Sequence, residues 1–272
     1  MTRKKFIIVS SILSALLIAL PFACNETLKE VYFSFPTDKV ASPVRLAFIS
    51  DLHNTYYGRG MSELIAAVDG FSPDAVIFGG DLFDKYWGEP NSVTLVKSLV
   101  SRYPCLYALG NHEFNHFDDE RIKREMAALG VTILDGAYRD ITANGSTVRI
   151  IGLDDLERKY EFEAAQEALS PTLPNILVYH YPEDFPSLRD KGFDLILAGH
   201  AHGGQWRFPP FNNGVFTPGE GFFPTYTGGL YTEHGTRMLV SRGLQRSPRD
   251  ILFPRIFNRP ELVLITVAPA AR

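Results

Sequence analysis

A chain of 272 residues in which 45% of the side chains are hydrophobic is long enough to bury the core of one large domain. Its formal charge of -4 supplies no basic field, so neither nucleic acid nor an anionic membrane surface is favoured as a partner on electrostatic grounds. The two cysteines, Cys24 and Cys105, lie in unlike settings and make no disulfide framework; Cys105 reads as a small buried hydrophobe.

The chain opens TRKK, continues as the apolar run FIIVSSILSALLIALPFAC from Phe6 to Cys24, and then turns polar at NETLKE. Positive residues ahead of an apolar run favour an N-terminus held inside and a remainder that is exported. Residues 1–24 are therefore expected to be a membrane anchor or a signal peptide, residues 25–43 a linker, and residues 44–272 the catalytic domain. That domain is expected on the extracytoplasmic side of the cell membrane, or secreted if the segment is cleaved. Lipidation of Cys24 is a weaker alternative, because Pro21 and Phe22 fit such a cleavage site poorly.

Beyond Pro43, short apolar strands alternate with polar helical stretches, the pattern of an α/β domain. The strands are expected at 45–50, 75–78, 105–109, 131–134, 147–152, 175–179, 194–198, 237–241 and 261–267. Between them, helices are expected at 61–70, 93–102, 118–129 and 161–169. From Gln205 to Tyr231 the chain is rich in Gly, Pro and aromatics without clear periodicity, as in a long ordered loop or a few short strands.

In such folds ligands collect beyond the carboxyl ends of the strands. Five apolar strands here run into polar residues at that end: LAFIS into Asp51 and His53, AVIFGG into Asp81 and Asp84, CLYALG into Asn111 and His112, NILVY into His180, and DLILAG into His200 and His202. Each motif alone is weak, and an isolated strand-end histidine is more often structural. Together they place many polar groups where burial is costly, and bound cations compensate such groups directly. Oxygen and nitrogen donors without cysteine suit Mn, Fe or Zn. Asp51, His53, Asp81, Asn111, His180, His200 and His202 are seven ligands, too many for one ion and sufficient for two divalent ions that share Asp81.

The blocks DLH, GGDLFD, GNHE, a strand-end His and GHAHGGQ, in that order, resemble the calcineurin-like metallophosphoesterase superfamily. GHAHGGQWRFP, the later SRGL and the closing FNRPEL resemble its membrane-associated bacterial branch, with Ala201 standing where threonine is common. The resemblance implies a four-layer α/β/β/α sandwich with two central mixed sheets. It implies that Asp51, His53 and His202 hold one ion and Asn111, His180 and His200 the other, with Asp81 bridging. His112 matches the family's catalytic histidine. Asp84 stands where the family often places a carboxylate that orients it, although a simple turn or helix-capping acid is nearly as good a reading. The implied reaction is hydrolysis of a phosphodiester or diphosphate by a water activated between two cations, without a covalent enzyme intermediate. The substrate is a phosphate ester or diphosphate, with lipid-linked phosphates compatible with a tethered, exported domain.

A protein phosphatase is disfavoured because GGDLFDKY lacks the arginine that follows the second aspartate in that branch. An inactive scaffold of the same fold is the alternative of a different class; retention of all seven ligands and His112 argues against it. Ser50 has no base at a recognised spacing and is not expected to be a nucleophile. His116 and His234 are read as loop or structural histidines. Arg207, Arg242 and Arg246 are candidate phosphate contacts, with ordinary salt bridges as the default reading.

Overall fold

The computed structural model describes residues 23–84, 89–116, 118–155, 157, 159–210, 213–217, 219–246 and 254–271, with only the backbone at 115 and 116. The apolar run expected as an anchor or signal lies outside the described residues up to position 22. Among the described residues, no helix is long and apolar enough to cross a membrane.

In chain order the elements are β1 (Lys29–Thr37), β2 (Val44–Ile49), α1 (Ser62–Phe71), β3 (Ala75–Gly79), α2 (Pro90–Val100), β4 (Cys105–Ala108), α3 (Asn111–His116), α4 (Asp119–Ala128) and β5 (Thr132–Ile133). There follow β6 (Tyr138–Ala143), β7 (Ser146–Leu153), α5 (Lys159–Glu167), β8 (Asn175–Tyr179), α6 (Phe185–Leu188) and β9 (Leu195–Ala198). The chain closes with β10 (Phe216–Thr217), β11 (Gly221–Phe222), β12 (Gly229–Glu233), β13 (Thr236–Val240) and β14 (Glu261–Pro269). Two six-stranded sheets result, ordered β1-β14-β2-β3-β4-β5 and β12-β13-β9-β8-β7-β6. Both are mixed: β14 runs antiparallel to β2, and β6 and β12 are antiparallel edges on otherwise parallel strands.

Side-chain alternation along each strand explains why the sheets stack. Leu46, Phe48, Ile77, Leu106, Val263 and Ile265 of the first sheet face Val148, Ile150, Ile176, Val178, Leu195 and Leu197 of the second in one buried cluster. The intervening residues Ala47, Ile49, Val76, Phe78 and Tyr107 point the other way, onto Leu64 and Val68 of α1, Leu95 and Leu99 of α2 and Met126 of α4. On the far side, Leu177, Tyr179, Ile196 and Val240 pack with Ala165 of α5 and with Phe185 and Leu188 of α6. Strands buried on both faces read as continuous apolar runs, and that is how the sequence shows them.

All nine expected strands and four expected helices form. The segment 25–43 is not a linker throughout: Lys29–Thr37 is β1, paired in parallel with β14 along its whole length. It is an edge strand that buries only Phe35 fully, so its alternation lacked the apolar density of the inner strands. The edge strands β6 and β12 escaped for the same reason, although Asn144-Gly145, with φ of 52° and 78°, is a hairpin signal.

Candidate metal centre

The hydrogen-bonded pairing of β2 with β3 continues past the strand ends: Asp51 N donates to Gly80 O at 3.0 Å and His53 N to Asp81 O at 3.0 Å. This fixes the two acid-bearing loops side by side. Asp51, His53, Asp81, His200 and His202 all have φ between 46° and 62°, a conformation that non-glycine residues rarely adopt. Such strain persists only where the surroundings impose it, and it gathers at functional sites. Gly80 shows how tight the junction is, since a Cβ there would lie 2.5 Å from His180 Nδ1 and 2.7 Å from Gly110 N.

The side chains converge as two groups sharing one carboxylate: Asp51, His53, Asp81 and His202 in one, and Asp81, His180 and His200 in the other. Asp81 Oδ2 stands 3.6 Å from His53 Nε2 and 3.3 Å from His180 Nε2, while Asp51 Oδ1 stands 3.6 Å from His202 Nε2 and 3.9 Å from His180 Nε2. Ligands bound to one divalent ion at about 2.1 Å are themselves separated by about 3 to 3.5 Å. His53 Nε2 and His180 Nε2 are buried without a hydrogen-bond partner, although each faces a carboxylate. Nitrogens aimed at a common point, with oxygens as the other donors, fit divalent cations. Asn111 lies against the second group, its Oδ1 2.7 Å from His200 Nδ1.

Burial opposes ionisation of Asp81, but His180, His53 and His112 outweigh it and hold that carboxyl well below the ordinary range. Burial raises Asp51. Burial, reinforced by His180, depresses His200 to about 3, and burial with His53 and Arg255 holds His202 well below its ordinary value, so both present neutral imidazoles. His180, its burial outweighed by Asp81, is pushed up to about 10.

Neighbouring groups set the orientation of these side chains. His180 Nδ1 is 2.7 Å from Gly79 O, which turns Nε2 toward the carboxylates. His200 N donates to Asp51 Oδ1 at 2.8 Å and His112 N to Asp81 Oδ1 at 2.8 Å. Asp84, expected to orient His112, is buried between two imidazoles, 3.8 Å from His112 Nδ1 and 3.4 Å from His53 Nδ1. His112 keeps 23% of its side chain exposed, at the solvent side of the cluster.

Glu113 is a positioning residue that sequence reasoning missed. Fully buried, it accepts from Asp81 N at 2.9 Å, Phe83 N at 3.2 Å and Gly110 N at 2.8 Å, tying the β3 and β4 loops together. Burial and the nearby Asp81 push its carboxyl up to about 7. The acid in GNHE was visible, and Gly110 N is local to it, but its role depends on the amides of Asp81 and Phe83, some thirty residues away. Asn258 was also missed; its side-chain amide donates to His202 O at 2.7 Å and braces the His202 turn. The buried Arg255 places a guanidinium nitrogen 3.4 Å from His202 Nδ1.

The remaining candidates lie elsewhere or play structural parts. Ser50 Oγ donates to Asp51 Oδ2. His234 pairs with Asp190 at the surface, and the side chain of His116 lies outside the described residues. Arg207 donates to Gly203 O and Thr227 Oγ1, Arg242 faces Glu261, and Arg246 binds Glu63. Cys24 and Cys105 are free, with burial raising the Cys105 thiol to about 12.

Residues 44–204, which hold every candidate ligand, match the family model of the calcineurin-like phosphoesterases. The chain belongs to that family. It is a metal-dependent phosphoric ester hydrolase with the family's two mixed sheets. Over 230 residues it is 29% identical to the metallophosphoesterase YkuE of Bacillus subtilis, covering 82% of this chain and 78% of that protein. It is 28% identical over 243 residues to the phosphodiesterase YaeI of Escherichia coli, covering 83% and 82%. It is also 28% identical over 183 residues to the UDP-2,3-diacylglucosamine pyrophosphatase LpxG of Chlamydia trachomatis, covering 64% of this chain and 54% of that protein.

Proposed function

We propose that this phosphoesterase hydrolyses a phosphodiester or diphosphate bond, with lipid-linked diphosphates as the leading substrate class, using two divalent ions. Asp51, His53 and His202 would hold one ion, Asn111, His180 and His200 the other, and Asp81 would serve both. The observation that carries this reading is that the single carboxylate of Asp81 lies within ligand spacing of imidazoles from both groups. Manganese, iron or zinc suits the donor set. When bound, such ions activate a water and hold the phosphate oxygens.

The chain's own residues account for the rest. Asp81 and Asp51 supply the negative charge that balances the cations. His112, partly open to solvent beside the cluster, is placed to donate a proton or a positive charge to the leaving oxygen. Asp84, shared between His53 and His112, orients both rings. The pyrophosphatase LpxG supports a lipid-linked diphosphate, and the apolar run at Phe6–Cys24 supports action at the outer face of the cell membrane.

The test uses the full chain in detergent with added Mn, assayed on mono- and bis-nitrophenyl phosphate and on lipid diphosphates. Diester or diphosphate turnover is expected to vanish on chelation and to return with metal. Asn111→Ala is expected to lose both turnover and bound metal, and His112→Ala to lose turnover with metal retained. Turnover unaffected by both substitutions would overturn the assignment.

A further inference from the structure

Six large apolar side chains left in solvent come from the chain that follows His202: Phe208, Phe216, Phe222, Phe223, Leu230 and Phe257. Phe222 and Phe223 are 71% and 82% exposed. The β10–β11 register sets Phe216 opposite Phe222, with ring centroids 5.3 Å apart, while the alternate residue Thr217 is buried. The hairpin therefore turns an aromatic face outward. Apolar surface concentrated in this way on a soluble face marks a site of contact with something else.

Backbone bonds lead from this hairpin to the point where the N-terminal run meets the domain. Phe223 N donates to Val215 O at 2.8 Å, and Val215 N to Gly204 O at 2.8 Å and Trp206 O at 3.0 Å. Arg207 N donates to Ile256 O at 2.9 Å, and Phe257 N to Ala23 O at 2.6 Å. Arg246 and Arg259 then hold the carbonyls of Glu26, Thr27 and Leu28. The chain from Ala23 onward is thus fastened to the domain, and Ala23 is linked to the hairpin by these successive backbone pairings. Gly204 and Trp206, in the middle of these pairings, directly follow the candidate ligand His202.

We infer that the β10–β11 hairpin is a membrane contact: Phe222 and Phe223 enter the boundary between headgroups and acyl chains of the bilayer to which residues 1–24 direct the protein. This rests on the membrane reading of those residues and not on the metal assignment. A bilayer is the occupant because the sequence ahead of Ala23 is the apolar run read as a membrane segment, and Ala23 is linked to the hairpin through successive backbone pairings, which keeps lipid at high local concentration near it.

Full-length protein in phosphatidylcholine vesicles containing acyl-brominated lipid tests the contact. Phe223→Trp adds an indole at the hairpin, and Tyr138→Trp adds one on β6, at the opposite edge of the second sheet from β12. Each is read as the increment over the unsubstituted chain. Brominated lipid is expected to quench the Phe223→Trp increment and to leave that of Tyr138→Trp unchanged. Absence of quenching at Phe223→Trp, or equal quenching at both positions, overturns the inference. So does a hairpin signal that disappears as protein is diluted in lipid, which would indicate a second copy of the chain on this surface. Turnover of soluble bis-nitrophenyl phosphate in the same samples reports separately on the metal centre, and Phe222→Ser with Phe223→Ser is expected to leave it unchanged while slowing lipid diphosphate turnover.

Discussion

Strands β2, β3 and β4 of the first sheet deliver two aspartates, an asparagine and one histidine to the cluster, whereas β8 and β9 of the second deliver imidazoles alone. The first side braces itself: Glu113 ties the β3 and β4 loops, and Asp84 lies under His53. The second side is braced largely from across the interface, with His180 held by Gly79 O, the backbone of His200 held by Asp51, and the ring of His200 against Asn111. The imidazoles are therefore aimed by the sheet to which they do not belong. Packing of the two sheets is then part of the chemistry, because a small slide between them would misdirect His180 and His200.

The sharpest way to break this asymmetry is at the residue both groups share. Asp81→Asn is expected to lower turnover of a diester by more than about 100-fold, beyond what removing a supporting residue costs, and to reduce metal content in both groups when bound metal is measured by mass spectrometry. Loss from one group alone would show that the two sides are independent.

Removing the first sheet's own brace comes next. Glu113→Ala leaves three buried amides unsatisfied and is expected to cost about 3 kcal/mol in denaturant unfolding, with a fall in metal affinity. Glu113→Gln, which keeps an acceptor oxygen, is expected to recover part of both.

The smallest effect on the metal cluster itself is expected at Lys123, which sits 3.0 Å from Asp154, the residue that accepts from Leu109 N just ahead of Asn111. Burial pushes Asp154 up to about 6 even with Lys123 opposing it. Lys123→Met removes that opposing charge and raises the carboxyl further. Below about pH 4, the ordinary carboxyl range, Asp154 is protonated in folded and unfolded chains alike, so the variant loses little there. As pH rises through 6 and beyond, a buried carboxylate is left without its cation, and the deficit is expected to widen to about 3 kcal/mol near neutrality. Thermal unfolding across pH measures it, and a deficit that shrinks with rising pH contradicts the pairing.

The inner strands and all seven candidate ligands were legible because both signals are local: a run of apolar residues followed by donors at the strand end. The strand β1 was taken for linker because an edge strand shares its surface with solvent and carries only half of that signal. Asn258 gave no sign of its role, and Glu113 gave none of its hold on the β3 loop, since the His202 carbonyl and the Asp81 and Phe83 amides are brought near only by folding. Asp84 was read for His112 alone, and its closer approach to His53 follows from how the β2 and β3 loops lie together. Whether the aromatics of residues 206–231 face outward, to a substrate or a membrane, or cover the core was left open by the sequence, because they have no clear period.

By itself the sequence determined which residue types stand at the ends of which strands, because strand alternation and turn chemistry are written within a few residues. Only the tertiary structure decided that Asp81 lies between two ligand groups, that one sheet orients the other's imidazoles, and that Phe257 bonds to Ala23. Those relations join residues more than 200 positions apart at the extreme, and the stacking of two buried sheet faces brings the ligand groups within reach.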